Sequence, residues 1–286
     1  MVSYSKYSFL FMTFFRIIAG GLIIYSILCV FMYLYQDQLL FIRQGITNER
    51  VEYIRTRLHH VEEMTIPTAD GITLHGWRVN DYRKTAEATD SVVIYFGGNA
   101  EEVSYMIDEV AAFQNWSFVL MNYRGYGLSE GNPSEEMLYE DALGIYDSLV
   151  ELGMADPSRT IVMGRSLGTG VAVHLARHRQ VQGVILISPY DSMANVAKDA
   201  YPFLPVNLLI RNRFNALDNA AAIDIPVYAL IALEDTVILP ERSLKLLMKL
   251  EGEIHVTEVA HAGHNNLAGT AEYRLFLKES LDAFVH

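Results

Sequence analysis

Between Thr160 and Val173 the chain reads Thr-Ile-Val-Met-Gly-Arg-Ser-Leu-Gly-Thr-Gly-Val-Ala-Val. The first four residues have the apolar, β-branched character of a short buried strand. A Gly-x-Ser-x-Gly turn follows at once, and then small and apolar residues that can open a helix. Few backbones accommodate this order. The turn is so tight that its serine is forced into a strained conformation, and side chains at 164 or 168 would strike the neighbouring strand and helix, so glycine stands at both. Ser166 is then held at a strand's end and a helix N-terminus, where free N–H groups and the helix dipole favour developing negative charge. The bare pattern also arises by chance as a glycine-rich turn with a spectator serine. Its flanks and its downstream partners give it weight.

The rest of the chain supplies the setting for such a turn. Val61–Ile66 and Ile72–Val79 read as strands joined by Pro67-Thr68-Ala69-Asp70-Gly71, a hairpin. Residues 81–90 are polar and read as a loop. Ser91–Phe96 and Ser117–Asn122 are continuous apolar runs, as in strands covered on both faces. The stretch from Glu101 to Gln114 has helical spacing with acids in its first turn, and Ser134 caps a predicted helix running to about Leu152. Further strands are predicted at Val184–Ser188, Ile225–Leu233 and Ile254–Val259, with helices at Pro240–Leu250 and Thr270–Val285. Strand and helix alternating at this rhythm mean βαβ units on a largely parallel sheet, made mixed by the opening hairpin. The interval between Ser188 and Ile225 breaks the rhythm. It carries Pro202 and Pro205 among Tyr201, Phe203, Leu204, Leu208, Leu209 and Phe214. It reads either as a small helical lid over the carboxyl edge of the sheet, its apolar side chains facing a pocket, or as a long crossover packed on the core.

The N-terminus belongs to a different environment. The chain is 51% hydrophobic, and the excess lies before Gln36. From Phe9 to Tyr35 the single charge is Arg16. The uncharged run Ile17–Tyr35 would span roughly 28 Å as a helix, close to a bilayer core. It ends in Val30-Phe31-Met32-Tyr33-Leu34-Tyr35, with no small-x-small cleavage site. The expectation is therefore an uncleaved single-pass anchor over residues 9–35, with the membrane as its partner. Lys6, Arg16 and the amino terminus precede the span, with no acids there, and Arg43, Arg50, Arg55 and Arg57 follow it, so the positive-inside rule nearly ties. A slight preference remains for a main domain on the non-cytoplasmic side. Residues 1–36 then form the anchor, 37–60 a charged connector, and 61–286 the main domain with its insertion at about 189–223. The net charge of −12 argues against a nucleic-acid partner. Cys29 is the one cysteine, so no internal disulfide is possible.

Open α/β sheets place their chemistry beyond the carboxyl ends of the strands. Asp235 follows the strand at Ile225–Leu233, and His264 follows Ile254–Val259 in Ala260-His261-Ala262-Gly263-His264-Asn265. A serine hydroxyl is a poor nucleophile and needs an adjacent base. His264 would serve, with Asp235 fixing its tautomer. The backbone N–H of Leu167 and one near Gly98-Asn99 would hold an oxyanion. Glu234 and Asp191 remain rival acids. His261 and His264 could pair on a metal, yet no third ligand of suitable spacing exists, and His261 reads as a surface residue. His59 and His60 read as solvated, and His174, on the helix after Ser166, as structural. Tyr123–Gly131 is rich in glycine but opens no helix, so it is not a dinucleotide fingerprint. No cofactor is expected.

Six stretches together resemble the α/β-hydrolase superfamily. They are Gly97-Gly98-Asn99-Ala100, Asn122-Tyr123-Arg124-Gly125-Tyr126-Gly127-Leu128-Ser129, Gly164-Arg165-Ser166-Leu167-Gly168, Ser188-Pro189-Tyr190-Asp191-Ser192, Leu233-Glu234-Asp235 and Ala262-Gly263-His264-Asn265. More narrowly, the chain is similar to the membrane-anchored branch of abhydrolase-domain proteins and bacterial serine-aminopeptidase-like hydrolases, in which the N-terminal apolar segment and a connector like Gln38-Leu39-Leu40-Phe41 are also found. The resemblance implies an α/β-hydrolase fold with Ser166 as nucleophile, Asp235 as acid, His264 as base, and the amides of Asn99 and Leu167 as oxyanion hole. The family usually has His-Gly-Asn where this chain has Gly97-Gly98-Asn99, and the extra glycine predicts a looser loop. The expected activity is hydrolysis of a carboxylic ester or thioester of a small acyl substrate, lipids included, through an acyl-enzyme. A serine peptidase acting on amides, and a catalytically silent membrane scaffold, are the alternatives.

Overall fold

The computed structural model describes residues 2–80, 91–113 and 115–285. The polar stretch 81–90 and Gln114, the expected end of a helix, lie outside the described residues.

The chain opens with one long helix, α1 (Val2–Leu40), and a short one, α2 (Asn48–Arg57). Among the described residues eight strands follow: β1 (Val61–Pro67), β2 (Thr73–Val79), β3 (Ser91–Phe96), β4 (Trp116–Met121), β5 (Thr160–Arg165), β6 (Gly183–Ile187), β7 (Val227–Ala232) and β8 (Ile254–Val259). They form a single sheet in the order β1-β2-β4-β3-β5-β6-β7-β8. β1 and β2 pair antiparallel, as do β2 and β4, and every later pairing is parallel. The hairpin expected at 67–71 therefore makes the antiparallel edge, and the rest is the parallel sheet that the βαβ rhythm implies.

Helices cover both faces. On β3, Val92, Ile94 and Phe96 face one core layer while Val93 and Tyr95 face the other, the period-two alternation of a strand buried on both sides. The first layer is closed by α4 (Glu135–Glu151), α5 (Leu167–His178) and α9 (Pro240–Leu247), through residues such as Leu138, Val171 and Leu246. The second is closed by α2, α3 (Met106–Val110) and α10 (Ala271–Asp282), through Ile54, Ile107 and Phe276. Ser134 and Thr270 cap their helices by accepting from Met137 N and Tyr273 N.

Two stretches depart from expectation. The helix read from Glu101 is a 3₁₀ turn at Val103–Tyr105 followed by the five-residue α3. The reason is local: the Glu102 carboxylate caps Ser104 N, and Glu101 turns back onto Gly98 N at 2.8 Å, so neither acid sits in a helical first turn. The charged stretch after the apolar segment is also well packed. α1 runs on to Leu40, Phe41 is buried against Phe214, and α2, capped by Thr47, buries Val51 and Ile54. Burying Ile54 alone contributes about 1.5–3 kcal/mol. Between β6 and β7 lie three short helices, α6 (Met193–Ala200), α7 (Val206–Leu209) and α8 (Leu217–Ala220).

Candidate active site

The strand order reverses direction around β3 and β5, and the loops leaving their carboxyl ends form the crevice where such sheets bind ligands. β5 ends at Arg165, α5 begins at Leu167, and Ser166 between them has φ 49° and ψ −117°. That positive φ is a strained conformation for a residue with a side chain. The two glycines are required by contact distances. A Cβ on Gly164 would lie 2.4 Å from the Gly168 carbonyl oxygen, and one on Gly168 would lie 2.0 Å from that of Phe96. The turn is tied down by Ser166 N, which donates to Ile187 O at 2.8 Å, and by the Thr169 hydroxyl, which donates to Ser166 O at 2.7 Å.

The loops after β7 and β8 bring two more side chains to the same rim. His264 Nε2 lies 2.9 Å from Ser166 Oγ, and its Nδ1 lies 2.7 Å from Asp235 Oδ2. The second Asp235 oxygen accepts from the backbone N–H groups of Val237 and Ile238, each at 2.8 Å, which fixes the carboxylate plane. A carboxylate can only accept here. That assigns the imidazole proton to Nδ1 and leaves Nε2 free to accept from the serine hydroxyl. The two loops are bound to each other where Glu234 N donates to Ala262 O at 2.9 Å. Asp235 and Ser166 are buried, and the His264 side chain is 14% exposed.

The rival residues lie elsewhere. Glu234 points outward, 3.6 Å from the exposed His261. Asp191 is buried but faces away, accepting from Ser192 N at 2.7 Å and Asn195 Nδ2 at 2.8 Å, with Arg242 at 3.3 Å. His59 is exposed and His60 half-buried. His174 stacks on Tyr139 with ring centroids 3.9 Å apart, and burial holds its pKa down to about 4.

The loop after β3 is held more firmly than its two glycines predict. Glu101 accepts from Gly98 N at 2.8 Å and from the Tyr95 hydroxyl at 2.6 Å, and the Tyr123 hydroxyl donates to Gly97 O at 2.8 Å. Burial, and then the nearby Glu101 charge, push both phenols well up, so they stay protonated donors. The Asn99 side chain is also committed: its Oδ1 accepts from Ile42 N at 2.8 Å, Ala100 N at 2.9 Å and the Tyr126 hydroxyl at 3.1 Å. The expectation of a loose loop is thus corrected, because the missing side chain at 97 is offset by bonds to its backbone. Among the described residues the N–H groups of Asn99 and Leu167 have no acceptor, and both residues line a cavity that reaches Ser166.

Ser166 lies between two cavities. One, of about 310 Å³, is mostly apolar; besides Ser166, Leu167 and Asn99 it is lined by Met193, Val196, Leu204, Leu209, Val237 and Ile238. The other, of about 320 Å³, is polar and is lined by Gln44, Glu101, Tyr105, Arg165 and His264, with Arg165 and Glu101 3.7 Å apart. Of the apolar residues expected to face a pocket from the interval before β7, Tyr201, Leu204 and Leu209 do so. Phe203 and Leu208 face outward, and Phe214 is fully buried beside Phe41 and Tyr139 in the core. Sequence reasoning missed one wall entirely. Met32, Gln36, Leu39 and Leu40 of α1 also line the apolar cavity. The available signal was length: the candidate span Phe9–Leu40 is about 48 Å long as a helix, well beyond a bilayer core of ~30 Å.

The serine aminopeptidase family S33 matches residues 87–214. An uncharacterised protein of Mycobacterium tuberculosis is 30% identical over 206 residues, covering 71% of this chain and 72% of that protein. Lysophosphatidylserine lipase ABHD12 of Danio rerio is 31% identical over 179 residues, 55% of this chain and 46% of the lipase. An uncharacterised membrane protein of Saccharomyces cerevisiae is 29% identical over 242 residues, 81% of this chain and 83% of its own. Among solved structures, an esterase of Pyrococcus furiosus superposes with a TM-score of 0.65 at 18% identity, covering 84% of this chain and 96% of the esterase. With the sheet order, the strained serine turn and these relatives together, the chain belongs to the α/β-hydrolase superfamily. Within it, the similarity runs to the S33 serine aminopeptidases and to the abhydrolase-domain proteins.

Proposed function

We propose that this chain is a membrane-anchored serine hydrolase that cleaves a carboxylic ester or thioester through an acyl-enzyme. The observation carrying this reading is the unbroken hydrogen-bonded line from Asp235 through His264 to Ser166, at 2.7 and 2.9 Å. Ser166 Oγ attacks the acyl carbon while His264 Nε2 takes its proton. Asp235 stabilises the imidazolium that results. The N–H groups of Asn99 and Leu167 receive the oxyanion. The intermediate collapses, His264 returns the proton to the departing alcohol or thiol, and the acyl group stays on Ser166. A water deprotonated by His264 then releases the acid and restores the serine.

The two cavities support a division of labour. The apolar one suits the acyl chain, and the polar one, with Arg165 and Glu101, suits the leaving group. In this reading residues 1–36 are the anchor, 37–60 a packed connector, and 61–286 the hydrolase domain, with the insertion at about 189–223 as its lid. The uncovered apolar surface of α1 and the yeast relative's description as a membrane protein support the anchor. The amino terminus, Lys6 and Arg16, with no acids before the span, support a cytoplasmic N-terminus and a domain on the non-cytoplasmic side. An amide-cleaving peptidase is the second reading, favoured by the S33 family match. A panel of acyl esters, acyl thioesters and aminoacyl amides separates them. Turnover of esters that disappears in Ser166→Ala supports the first reading. Turnover confined to aminoacyl amides would replace it with the second, and no turnover of any class would leave the silent scaffold.

A further inference from the structure

The insertion between β6 and β7 is fastened along α1 rather than only to its own domain. The Tyr25 hydroxyl donates to Phe203 O at 2.9 Å. Gln36 Nε2 donates to Leu209 O at 3.0 Å and Gln36 Oε1 accepts from Arg211 N at 2.7 Å. Asp37 pairs with Arg211 at 2.7 Å and accepts from Asn212 Nδ2 at 2.8 Å. These attachments run from residue 25 to residue 37, roughly 18 Å of helix.

Their position fixes the depth of the insertion. A bilayer core takes about 20 helical residues. The segment of α1 long enough to cross a membrane is Phe9–Leu40, and its uncharged run is Ile17–Tyr35. A window of about that length slid from one end of the stretch to the other always contains Tyr25. With α1 spanning a bilayer, Phe203, bonded to Tyr25, is therefore at hydrocarbon depth. The side chains beside it match that surrounding: Phe203 is 59% exposed and Leu208 83% exposed. In water they would be a costly apolar patch; in lipid they are solvated.

We infer that the insertion is immersed in one lipid leaflet through Phe203 and Leu208, so that the acyl substrate is a bilayer lipid entering sideways between α1 and the insertion. This rests on the anchored acyl-hydrolase reading above and deepens it. The apolar cavity lies along that seam, lined by Met32 and Leu39 from α1, Leu204 and Leu209 from the insertion, and Ser166. A chain leaving the leaflet would meet no aqueous step before its carbonyl reached the serine.

The test uses the full chain in phosphatidylcholine nanodiscs. Single cysteines carry an environment-sensitive fluorophore at native Cys29, and at Phe203→Cys, Leu208→Cys or Met248→Cys in a Cys29→Ser background. Met248 is as exposed as Leu208, at 83%, but lies at the end of α9. Spin-labelled acyl chains should quench the labels at 29, 203 and 208 strongly and the label at 248 little. Quenching at 29 without quenching at 203 and 208 would overturn immersion, and no quenching at 29 would overturn the anchor with it. In parallel, Phe203→Glu/Leu208→Glu should lower hydrolysis of a long-chain ester in vesicles at least about tenfold relative to a short soluble ester. An unchanged ratio would contradict lateral entry. Wild-type protein that cleaves neither ester would sink the acyl-hydrolase reading, while the quenching result would still decide where the insertion lies.

Discussion

Asp235 shows how much a single side chain is asked to do. It is buried, both its oxygens are bonded, and one of them holds the proton of His264 Nδ1 in place. An amide at 235 can donate as well as accept, which favours the other imidazole tautomer and leaves Nε2 unable to take the serine proton. Asp235→Asn is therefore expected to lower kcat by about 10³–10⁴ with KM changed little, read by steady-state ester hydrolysis. His174 makes a separate, structural demonstration. Burial lowers its pKa from 6.5 to about 4, so the fold favours the neutral ring. Below pH 6.5 the unfolded chain takes up a proton that the folded chain resists, so stability present above that pH declines as pH falls towards 4. The ring is partly exposed, and solvent screening reduces the loss to about 1–2 kcal/mol. His174→Phe keeps the stack on Tyr139 and should flatten this part of the stability curve, measured by urea unfolding at pH 7, 5.5 and 4.5. The meeting of Ser166, Asp235 and His264 at one rim was legible because chain order and strand ends announce it. Glu101 and Tyr123 were not assigned their roles, because each acts on a backbone group and no spacing in the sequence encodes that.

At the scale of elements, the strand–turn–helix around Ser166 is set by backbone contact rather than by side-chain packing. A methyl group on Gly168 would sit 2.0 Å from the carbonyl oxygen of Phe96, in the adjacent strand, and neither backbone has room to retreat. Gly168→Ala is expected to cost about 3 kcal/mol or more, a Tm lower by roughly 6–12 °C by calorimetry. Strands of the parallel sheet were readable to within a residue or two; the inner ones are buried on both faces and their apolar runs are continuous, while the edge strand β8 is largely exposed. The helix expected from Glu101 was not, because its acids satisfy loop N–H groups instead of the helix dipole, and composition alone does not distinguish the two uses.

The whole molecule couples a hydrolase domain to a helix that reads, by composition, only as an anchor. Its surplus length becomes a wall of the cavity beside Ser166. Length was the one trace of that dual use in the sequence, because hydropathy reports that a side chain is apolar, not whether lipid or a cavity will meet it. If the wall shapes acyl selection, Met32→Trp should shorten it, with kcat/KM for long-chain esters down about tenfold and that for short esters held, measured on a chain-length series. The central claim, a serine made nucleophilic by residues brought from the far end of the polypeptide, is tested most directly by chemical labelling. Intact protein treated with a fluorophosphonate and digested for mass spectrometry should carry a single adduct on Ser166, and His264→Ala should abolish it. Folded wild-type protein left unmodified at Ser166, or a His264→Ala variant labelled there as fast as wild type, would contradict the account.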